Sequence, residues 1–271
     1  MPEVFVSGAF NDLRSRDVRF LQEAARLGDL TVGLWSDENF RRQSGRLPEF
    51  PQAERLYMLA AIRYVNQVIL ADGPVGQDGL PLQSGLRPDL WVVNAAEDTP
   101  EKRQFCASAR IGYRVIPAYQ LDGFPPSGGP LPEPGRKKVI VTGCFDWLHS
   151  GHIRFFEQAA AYGDLYVSIG SDSTLRQLKG AGHPLQTQQE RLFMVEAIRT
   201  VSQAFIASGS GYLDVEPEID RIKPDIYLIN QDGDRPEKRE FCRKRGLQYV
   251  VLQRLPKEGL PARQSTHLRG F

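Results

Sequence analysis

The chain contains one sequence pattern twice, and this repeat limits its architecture more than any other feature. A shift of 135 residues places the segment 4–11 on the segment 139–146, with apolar, glycine and aromatic positions in step. Farther along, a shift of 136 residues places Glu54-Arg55-Leu56 on Glu190-Arg191-Leu192. Repeats of this length indicate two copies of one domain.

A stretch rich in proline and glycine separates the two copies. Eight of the eleven residues from Pro125 to Gly135 are proline or glycine, a composition that cannot continue a helix or a central strand. We therefore predict a first domain over residues 1–120, a linker over residues 121–136 and a second domain over residues 137–271.

Within each copy, short apolar runs alternate with segments of helical periodicity. In the second copy this pattern predicts strands at 139–141, 165–169, 204–207, 226–229 and 249–252, and helices near 153–162, 188–201 and 236–245. Buried strands that alternate with helices across short connections form parallel sheets. We predict an α/β fold made of two tandem Rossmann-like domains, each with a doubly wound parallel sheet.

Composition and charge exclude several classes of partner. The chain has 34 basic and 33 acidic residues, for a net charge of +1, so no bulk electrostatic attraction to nucleic acid or to a membrane surface is expected. No segment resembles a signal peptide or a spanning helix, which needs roughly 18 apolar residues. We expect a cytoplasmic protein without membrane insertion. Its three cysteines are widely spaced and suggest neither disulfides nor a zinc site.

A phosphate-binding pattern lies at the first junction between strand and helix in the second copy. The run from Gly143 to His152, here called the histidine loop, follows an apolar strand and opens an amphipathic helix. Backbone N–H groups at a helix N-terminus favour an anion. His149 and His152 are three residues apart, so both rings lie on one helical face and can reach the same phosphate.

The first copy serves as an internal control for this pattern. Positions that carry polar chemistry in the second copy are replaced in the first, and the late Arg-x-Ser-Thr at 263–266 aligns with the linker. The replaced positions, second copy first, are His149 and Arg14, His152 and Asp17, Asp146 and Asn11, and Lys179 and Ser44. We therefore predict that the second copy holds the active site and that the first copy is degenerate and non-catalytic.

Over residues 137–271 the second copy resembles the cytidylyltransferase family of HxGH nucleotidyltransferases. This family includes the glycerol-3-phosphate, ethanolamine-phosphate and choline-phosphate cytidylyltransferases. The resemblance rests on four elements in order, namely the histidine loop, Lys179, Glu190-Arg191 and the late Arg263 to Thr266. The tandem arrangement itself resembles ethanolamine-phosphate cytidylyltransferase.

The resemblance implies a reaction and a set of site residues. In this family a substrate phosphate attacks the α-phosphorus of a nucleoside triphosphate and expels pyrophosphate. The expected substrates are CTP and a small phosphorylated alcohol or sugar-alcohol, and the product is a CDP-linked compound of the kind used in phospholipid synthesis. The expected catalytic residues are His149, His152, Lys179 and Arg263. The expected nucleotide-binding residues are Thr142, Gly143, Phe145, Asp146, Gly151, Asp232, Ser265 and Thr266.

The resemblance also implies a cofactor and a quaternary state. Mg²⁺ is expected with the triphosphate, but no carboxylate pair identifies its ligands, so none is assigned. Glycines 143 and 151 are expected to let the backbone approach phosphate closely. The first copy is expected to pack against the second as a partner subunit does in the family's homodimers, which predicts a monomer with an internal pseudo-dimer.

Some polar residues occur in both copies and are interpreted as structural. Glu190-Arg191 is interpreted as packing between the copies, because Glu54-Arg55 stands at the same place. Asp234 is interpreted as the N-cap of the helix that begins at Pro236. Lys238, with Lys102 as its counterpart, is interpreted in the same way, and contact with the acceptor phosphate is the disfavoured alternative.

Three alternative functions remain. Adenylyltransferases that use ATP with flavin mononucleotide or heptose phosphates share the motif set, although the late Arg-x-Ser-Thr favours cytidine. A catalytically silent nucleotide sensor is disfavoured by the intact His149, His152 and Lys179. An aminoacyl-tRNA synthetase, which also uses an HxGH motif, is disfavoured because the chain is short and neutral. The sequence leaves the acceptor open.

Overall fold

The computed structural model describes residues 1–71, 85–129 and 131–268, without the side chains of Thr266 and His267. The chain divides into two compact units, Met1–Phe124 and Pro125–Phe271. None of the helices in these ranges has the length and apolar character needed to cross a membrane.

Five strands and four helices lie in the described residues of the first unit. In chain order these are β1 (Glu3–Gly8), α1 (Ser15–Ala25), β2 (Asp29–Trp35), α2 (Asp37–Ser44), α3 (Gln52–Ala60), β3 (Gln67–Ala71), β4 (Leu90–Asn94), α4 (Pro100–Ala109) and β5 (Gly112–Ile116), followed by a 3₁₀ turn at Ala118–Leu121. The strands form one parallel sheet in the order β3-β2-β1-β4-β5.

The second unit repeats the order of elements described for the first unit. Its elements are β6 (Lys138–Gly143), α5 (Ser150–Ala160), β7 (Asp164–Ile169), α6 (Asp172–Lys179), α7 (Gln188–Glu196), β8 (Val201–Ile206), α8 (Glu216–Ile222), β9 (Ile226–Asn230), α9 (Pro236–Arg245) and β10 (Gln248–Leu252). Short 3₁₀ turns lie at Gly211–Leu213, Gln231–Gly233 and Ser265–Leu268. The parallel sheet has the order β10-β9-β6-β7-β8.

Both sheets are Rossmann-like, which confirms the predicted fold class. In the second unit the chain moves from β6 outward to β7 and β8, and then returns to the other side of β6 with β9. The strand order therefore reverses beside β6. In open α/β sheets such a reversal leaves a crevice at the carboxyl ends of the strands, where ligands bind.

The strands are apolar because helices cover both faces of the sheet. All six residues of β7 are buried, which explains why its sequence is mostly apolar and does not alternate strictly between apolar and polar residues. On one face, α8 and α9 pack on β6 and β9 through a cluster that includes Ile140, Ile219, Tyr227 and Phe241.

Two helical predictions need correction. The helix predicted over 188–201 ends at Glu196, and Val201 instead begins β8 by pairing with Leu165 of β7. Ala197, Ile198 and Val201 are apolar and buried, so their spacing alone does not separate a helix end from a strand start. The sequence analysis also missed α6 and α8, and Lys179, expected in a loop, is the last residue of α6.

The predicted linker is anchored at its C-terminal end. The backbone N–H of Glu133 donates to Asp164 Oδ2 at 2.8 Å, and the Arg136 guanidinium lies 3.3 Å from the same carboxylate. The backbone N–H of Ser127 donates to Glu196 at 3.4 Å. Residues 127–136 therefore belong to the second unit in the structure.

Candidate functional site

A cleft of about 660 Å³ opens at the carboxyl edge of the second sheet. Segments that follow all five strands contribute to its walls. Its lining residues, in chain order, are Thr142, Gly143, Cys144, Phe145, Asp146, Gly151, His152, Phe155, Gly170, Leu175, Leu178, Lys179, His183, Gly211, Tyr212, Asp214, Ile229, Asn230, Asp232, Gly233, Lys238, Arg254, Gln264 and Ser265. The cleft therefore lies where the strand order reverses, as expected for a ligand site.

Nine of the twelve predicted site residues line this cleft, and His149 and Arg263 lie beside it. His149 is fully buried behind His152. Arg263 lines a smaller adjoining cavity of about 100 Å³. The side chain of Thr266 lies outside the described part of the chain.

The two histidines of the histidine loop stack on each other. His149 is the N-cap of α5, and its Nδ1 accepts a hydrogen bond of 3.1 Å from the Gly151 backbone N–H. Its ring centroid lies 3.9 Å from that of His152, with the planes 24° apart. The edge of Phe145 packs against His152 at 5.3 Å between centroids. Because Nδ1 of His149 is an acceptor, the neutral ring carries its proton on Nε2.

Both imidazoles are neutral at pH 7. Burial, and to a smaller extent the charges of Arg254 and Arg263, lower the pKa of His149 to about 3. Burial also holds the pKa of His152 well below its usual value, with help from His149, Arg254 and Lys179, while a bond to the Trp147 backbone acts in the opposite direction. Positive charge is therefore already concentrated around the pair before any ligand binds.

The histidine pair leaves buried polar atoms for a ligand. Within the described part of the chain, His149 Nε2 and His152 Nδ1 are buried and have no hydrogen-bond partner. An unpaired buried polar atom costs about 1–3 kcal/mol. A phosphate oxygen at the helix N-terminus would accept the His149 Nε2 proton and remove this cost.

The structure assigns a different reason to the two glycines of the histidine loop. A Cβ on Gly151 would lie 2.9 Å from the His149 ring, and a Cβ on Gly143 would lie 2.6 Å from the Phe145 ring. The space beside each glycine is therefore filled by a side chain of the site itself. Gly143 and Gly151 make room for Phe145 and His149, and the close approach of a phosphate to these two glycines stays a prediction.

Asp146 holds two loops together. Its buried carboxylate accepts hydrogen bonds from the backbone N–H groups of Leu185, at 2.8 Å, and Gln186, at 2.9 Å. This joins the histidine loop to the segment between α6 and α7. Asp146 therefore borders the cleft, and its bonds give it a positioning role.

Arg191 also holds segments next to the cleft together. Its fully buried guanidinium donates to Cys144 O at 2.8 Å, to Gly170 O at 2.9 Å and to Asp172 Oδ1 at 2.7 Å. These partners follow β6 and β7, so Arg191 fixes the ends of both strands. Since all of these bonds lie within the second unit, they correct the interpretation of Arg191 as a residue that packs between copies.

Arg254 is a site residue that the sequence analysis missed. It lies two positions after β10, pairs with Asp232 and donates from Nη2 to Arg263 O at 3.1 Å. It lines the cleft and its charge reaches both histidines. The available signal was a basic residue just beyond the last parallel strand, at the edge where ligands bind.

Ser265 and Asp234 occupy different surroundings. The Ser265 hydroxyl donates to Trp147 O at 3.5 Å, which brings the last 3₁₀ turn to the histidine loop. Asp234 instead accepts from the Arg239 guanidinium and the Tyr249 hydroxyl. The N-cap of α9 is Arg235, without a side-chain capping bond, so the interpretation of Asp234 as the N-cap is wrong.

Asp214 and Lys238 also line the cleft, although no motif marked Asp214. Burial raises the pKa of Asp214 to about 6, and burial lowers the pKa of Lys238. The sequence analysis gave Lys238 little weight because the first copy has a lysine at the same position.

The cleft contains no ready-made metal site. Within the described ranges, no group of three histidine, cysteine or carboxylate side chains is placed to hold a metal ion. Cys144 borders the cleft as a free thiol, and Cys106 and Cys242 are buried free thiols.

Comparison with known proteins places the second unit in a family. Residues 140–269 match the family model described as cytidylyltransferase-like. The chain is 37% identical to the FAD synthase of Aciduliprofundum boonei over 125 residues, which are 45% of this chain and 80% of that protein. It is 35% identical to the FAD synthase of Methanocella paludicola over 135 residues, which are 49% of this chain and 93% of that protein.

Two further matches cover different shares of their proteins. The bifunctional protein HldE of Methylococcus capsulatus is 38% identical over 104 residues, which are 38% of this chain and only 21% of HldE. The crystal structure of the lipopolysaccharide core biosynthesis protein of Thermoplasma volcanium matches 46% of this chain and 100% of its own, with 25% identity and a TM-score of 0.39. Through its second unit, this chain belongs to the cytidylyltransferase-like family and is an enzyme of the nucleotidyltransferase type.

Proposed function

We propose that the second unit transfers AMP from ATP to a phosphorylated small molecule and releases pyrophosphate. The observation that carries this proposal is the stacked, neutral pair of His149 and His152 at the N-terminus of α5, with unpartnered ring nitrogens. Lys179, Arg254 and Arg263 supply positive charge around it. This arrangement suits a polyphosphate.

In the proposed step, a phosphate oxygen of the acceptor forms a bond to the α-phosphorus. The bond from that phosphorus to the oxygen bridging to the β-phosphorus breaks, and pyrophosphate leaves with the electron pair. The nucleophile is already an anion, so no general base is needed. Catalysis then depends on holding two anions in line and on stabilising charge in the transition state.

We assign each residue of the cleft a part in the reaction according to its position. His149 Nε2 and the N-terminus of α5 would donate to the reacting phosphates. Arg254 and Arg263 would neutralise the leaving pyrophosphate, assisted by the hydroxyls of Ser265 and Thr266. Lys179, on the opposite side of the histidine loop in the sheet order, would attract the acceptor phosphate as a point charge.

Thr142, Gly143 and Phe145 would shape this site without touching the reacting phosphates. The Thr142 hydroxyl is 3.1 Å from the Tyr227 hydroxyl, and Phe145 supports His152. Asp232 holds Arg254. We propose that these residues position the nucleotide-binding groups.

Magnesium fits this cleft only together with the triphosphate. Mg²⁺ in phosphotransfer sites is bound by one or two carboxylates plus substrate phosphates, and Asp232 is the exposed carboxylate in the cleft that could contribute. Asp146 is engaged with backbone N–H groups. The ion would neutralise triphosphate charge.

The choice of ATP is supported by the relatives. Two of them are FAD synthases, and FAD contains AMP joined to a phosphorylated flavin. CTP, the donor predicted from the sequence, is the second candidate because of the late Arg263-x-Ser265-Thr266, and a small phosphorylated alcohol would then be the acceptor.

The first unit is proposed to be non-catalytic, because Arg14 and Asp17 replace the two histidines. We also keep the proposal of a monomer in which the first unit takes the place of a partner subunit. Sedimentation of the full chain tests it, and a stable dimer at micromolar concentration would contradict it.

A pyrophosphate-release assay tests the proposed reaction. ATP, CTP, GTP and UTP are each combined with flavin mononucleotide, ribose 5-phosphate, glycerol 3-phosphate and ethanolamine phosphate in the presence of Mg²⁺. We expect turnover with ATP and its loss in the His149→Ala/His152→Ala variant. Turnover only with CTP would favour the second candidate. Binding of ATP without turnover on any acceptor would favour the sensor reading.

A further inference from the structure

We propose that Asp214 and Lys238 form a subsite that binds a hydroxyl group of the acceptor. The substrate class would then be a phosphorylated polyol or sugar, or a molecule with a hydroxylated chain beside its phosphate. This inference rests on the proposed nucleotidyl transfer and extends it to the second substrate.

The position of Asp214 is fixed by its own loop. The Gly209 backbone N–H donates to Asp214 O at 2.9 Å, which closes the segment after β8 into a tight loop. A Cβ on Gly209 would meet that oxygen at 2.5 Å, and a Cβ on Gly170 would lie 3.4 Å from Asp214 Oδ2. The carboxylate is therefore held against the end of β7, on the wall of the cleft.

Lys238 approaches the same part of the cleft from the first turn of α9. Its ammonium lies 6.0 Å from the centroid of the Tyr227 ring. Lys238 is one of the charges that act on Asp214, yet among the described residues neither side chain belongs to an ion pair within 4.0 Å. The Asp214 carboxylate and the Lys238 ammonium therefore both lie half-buried in the wall of the cleft without forming an ion pair.

A hydroxyl group satisfies both side chains at once. Its proton is donated to the Asp214 carboxylate, and its oxygen accepts from the Lys238 ammonium. Hydrogen bonds to charged partners of this kind are about twice as strong as neutral ones. A ligand without this hydroxyl would leave two half-buried charged groups unpaired, which costs binding free energy.

The position of Asp214 in the sheet order assigns its side of this subsite to the acceptor, and Lys238, which follows β9, reaches the subsite from the other side of β6. The nucleophile and the leaving group lie on opposite sides of the α-phosphorus in an in-line displacement. Arg254, proposed to hold pyrophosphate, follows β10 at one end of the sheet, and Asp214 follows β8 at the other end. Lys179 follows β7 and lies between Asp214 and the histidine loop in this order.

The pair also predicts which acceptors are rejected. Asp214 and Lys238 together carry no net charge, so a neutral polar group gains from both. An ammonium group, as in ethanolamine phosphate, can donate to Asp214 but cannot accept from Lys238, so the Lys238 ammonium would stay unpaired beside a like charge. We therefore expect flavin mononucleotide, ribose 5-phosphate or glycerol 3-phosphate to be preferred over phosphorylated amines.

The test compares acceptor binding in full-length variants. Calorimetry measures the affinity of each of these three hydroxylated probes, and of ethanolamine phosphate, for the protein saturated with α,β-methylene ATP. The variants are Asp214→Asn and Lys238→Met, with Asp220→Asn and Lys244→Met as matched controls on the exposed faces of α8 and α9. Steady-state KM values are measured in parallel for ATP and for any acceptor that is turned over.

We expect at least one hydroxylated probe to bind, and its affinity to fall about tenfold in Asp214→Asn and in Lys238→Met, the loss expected for one charged hydrogen bond. Affinity for the ATP analogue should change less than twofold, and the controls should resemble the wild type. This result without turnover would support the subsite while contradicting the proposed transfer.

Three results would overturn the subsite. One is that ethanolamine phosphate binds as tightly as the best hydroxylated probe. A second is that the variants weaken the ATP analogue as much as the acceptor. The third is that no hydroxylated probe binds to a wild-type protein that does bind the ATP analogue.

Discussion

The two units end their first strand in the same way and then treat the following helix N-terminus in opposite ways. In the first unit, Arg14 is the N-cap of α1, and its backbone N–H donates to Asp17 Oδ2 at 2.9 Å. The Arg14 side chain pairs with Asp12 at 2.5 Å. In the second unit, His149 and His152 stand at these places and leave ring nitrogens without partners in the described structure. In the first unit the carboxylates of Asp12 and Asp17 bind Arg14 at the junction. In the second unit the ring nitrogens at the junction can still donate to an anion.

The hydrogen bonds that hold the loops around the two junctions are nevertheless of the same kind. Asn11 accepts from the Glu49 backbone N–H at 2.7 Å, as Asp146 does from Leu185. Arg55 donates to Ala9 O at 2.5 Å and to Asp37 at 2.7 Å, as Arg191 does to Cys144 and Asp172. The comparison teaches that the scaffold is independent of the chemistry, because the loop geometry survives where the histidines are absent.

The largest expected effect is on the junction itself. The change His149→Ala/His152→Ala should lower kcat/KM by on the order of 10³-fold or more, because it removes donors aimed at the reacting phosphates. The matched change in the first unit, Arg14→Ala/Asp17→Ala, should leave kcat/KM within about twofold of the wild type. Equal losses in both variants, measured by pyrophosphate release, would show that the first unit takes part in catalysis.

The buried arginines test the shared scaffold. Arg191→Met and Arg55→Met should each lower the stability of their own unit by about 3–5 kcal/mol, because each leaves buried carbonyl groups without a donor and removes the ion-pair partner of a carboxylate, Asp172 or Asp37. Hydrogen exchange measured by mass spectrometry, which separates the units, is the readout. Destabilisation confined to the second unit in both variants would contradict an equivalent role.

Arg254 has no charged counterpart in the first unit, where Ala118 stands at the aligned position. Arg254→Met should lower kcat/KM by about 100-fold through loss of pyrophosphate stabilisation. The exposed Arg239→Met, which breaks the pair with Asp234, is the control and should have little effect. An unchanged kcat/KM in Arg254→Met would remove Arg254 from the proposed site.

Lowering the pH should destabilise the second unit more than the first unit. The pKa of His149 is about 3 in the folded protein, below that of the unfolded chain, so the unfolded state takes up the proton first as pH falls below about 6.5. The second unit therefore loses about 1.4 kcal/mol per pH unit from this one group between these two values.

Asp17 in the first unit has the opposite sign. Burial raises its pKa in the folded state, so its burial costs stability at neutral pH, and this cost is relieved as pH falls through the folded pKa. Unit-resolved hydrogen exchange at pH 7.5 and pH 5 should show greater acid weakening in the second unit. His149→Gln should reduce that difference, and an unchanged difference would mean that His149 is not its source.

The smallest expected effect is that of changing Asp146, whose bonds to Leu185 and Gln186 hold the histidine loop. Asp146→Asn should reduce kcat/KM by less than about tenfold, since Asn11 already makes the same kind of backbone bond with a neutral oxygen. Asp146→Ala should cost more, because the N–H groups of Leu185 and Gln186 would lose their acceptor. If Asp146→Asn were as damaging as Asp146→Ala, the negative charge itself would matter, which would give Asp146 a direct role toward the ligand or its metal ion.

Much of this protein was determined by local sequence pattern. The repeat, the alternation of strands and helices, and the placement of His149 and His152 at a strand-to-helix junction all depend on residues close together in the chain. Periodicity and spacing report such features because the backbone geometry of one element sets them. The location of the histidine loop beside the reversal of strand order follows from the sheet topology. The alternation of strands and helices already limits the topologies that are possible.

Only the tertiary structure decided which distant residues complete the site and what each one touches. Arg254, Asp214 and Lys238 follow three different strands, and they meet because parallel strands bring their carboxyl ends to one edge. The same folding placed the His149 and Phe145 rings in the space beside Gly151 and Gly143, and gave Asp146 its backbone partners 39 and 40 residues away. Contacts at such separations depend on how strands are ordered and packed, and no local period in the sequence encodes them.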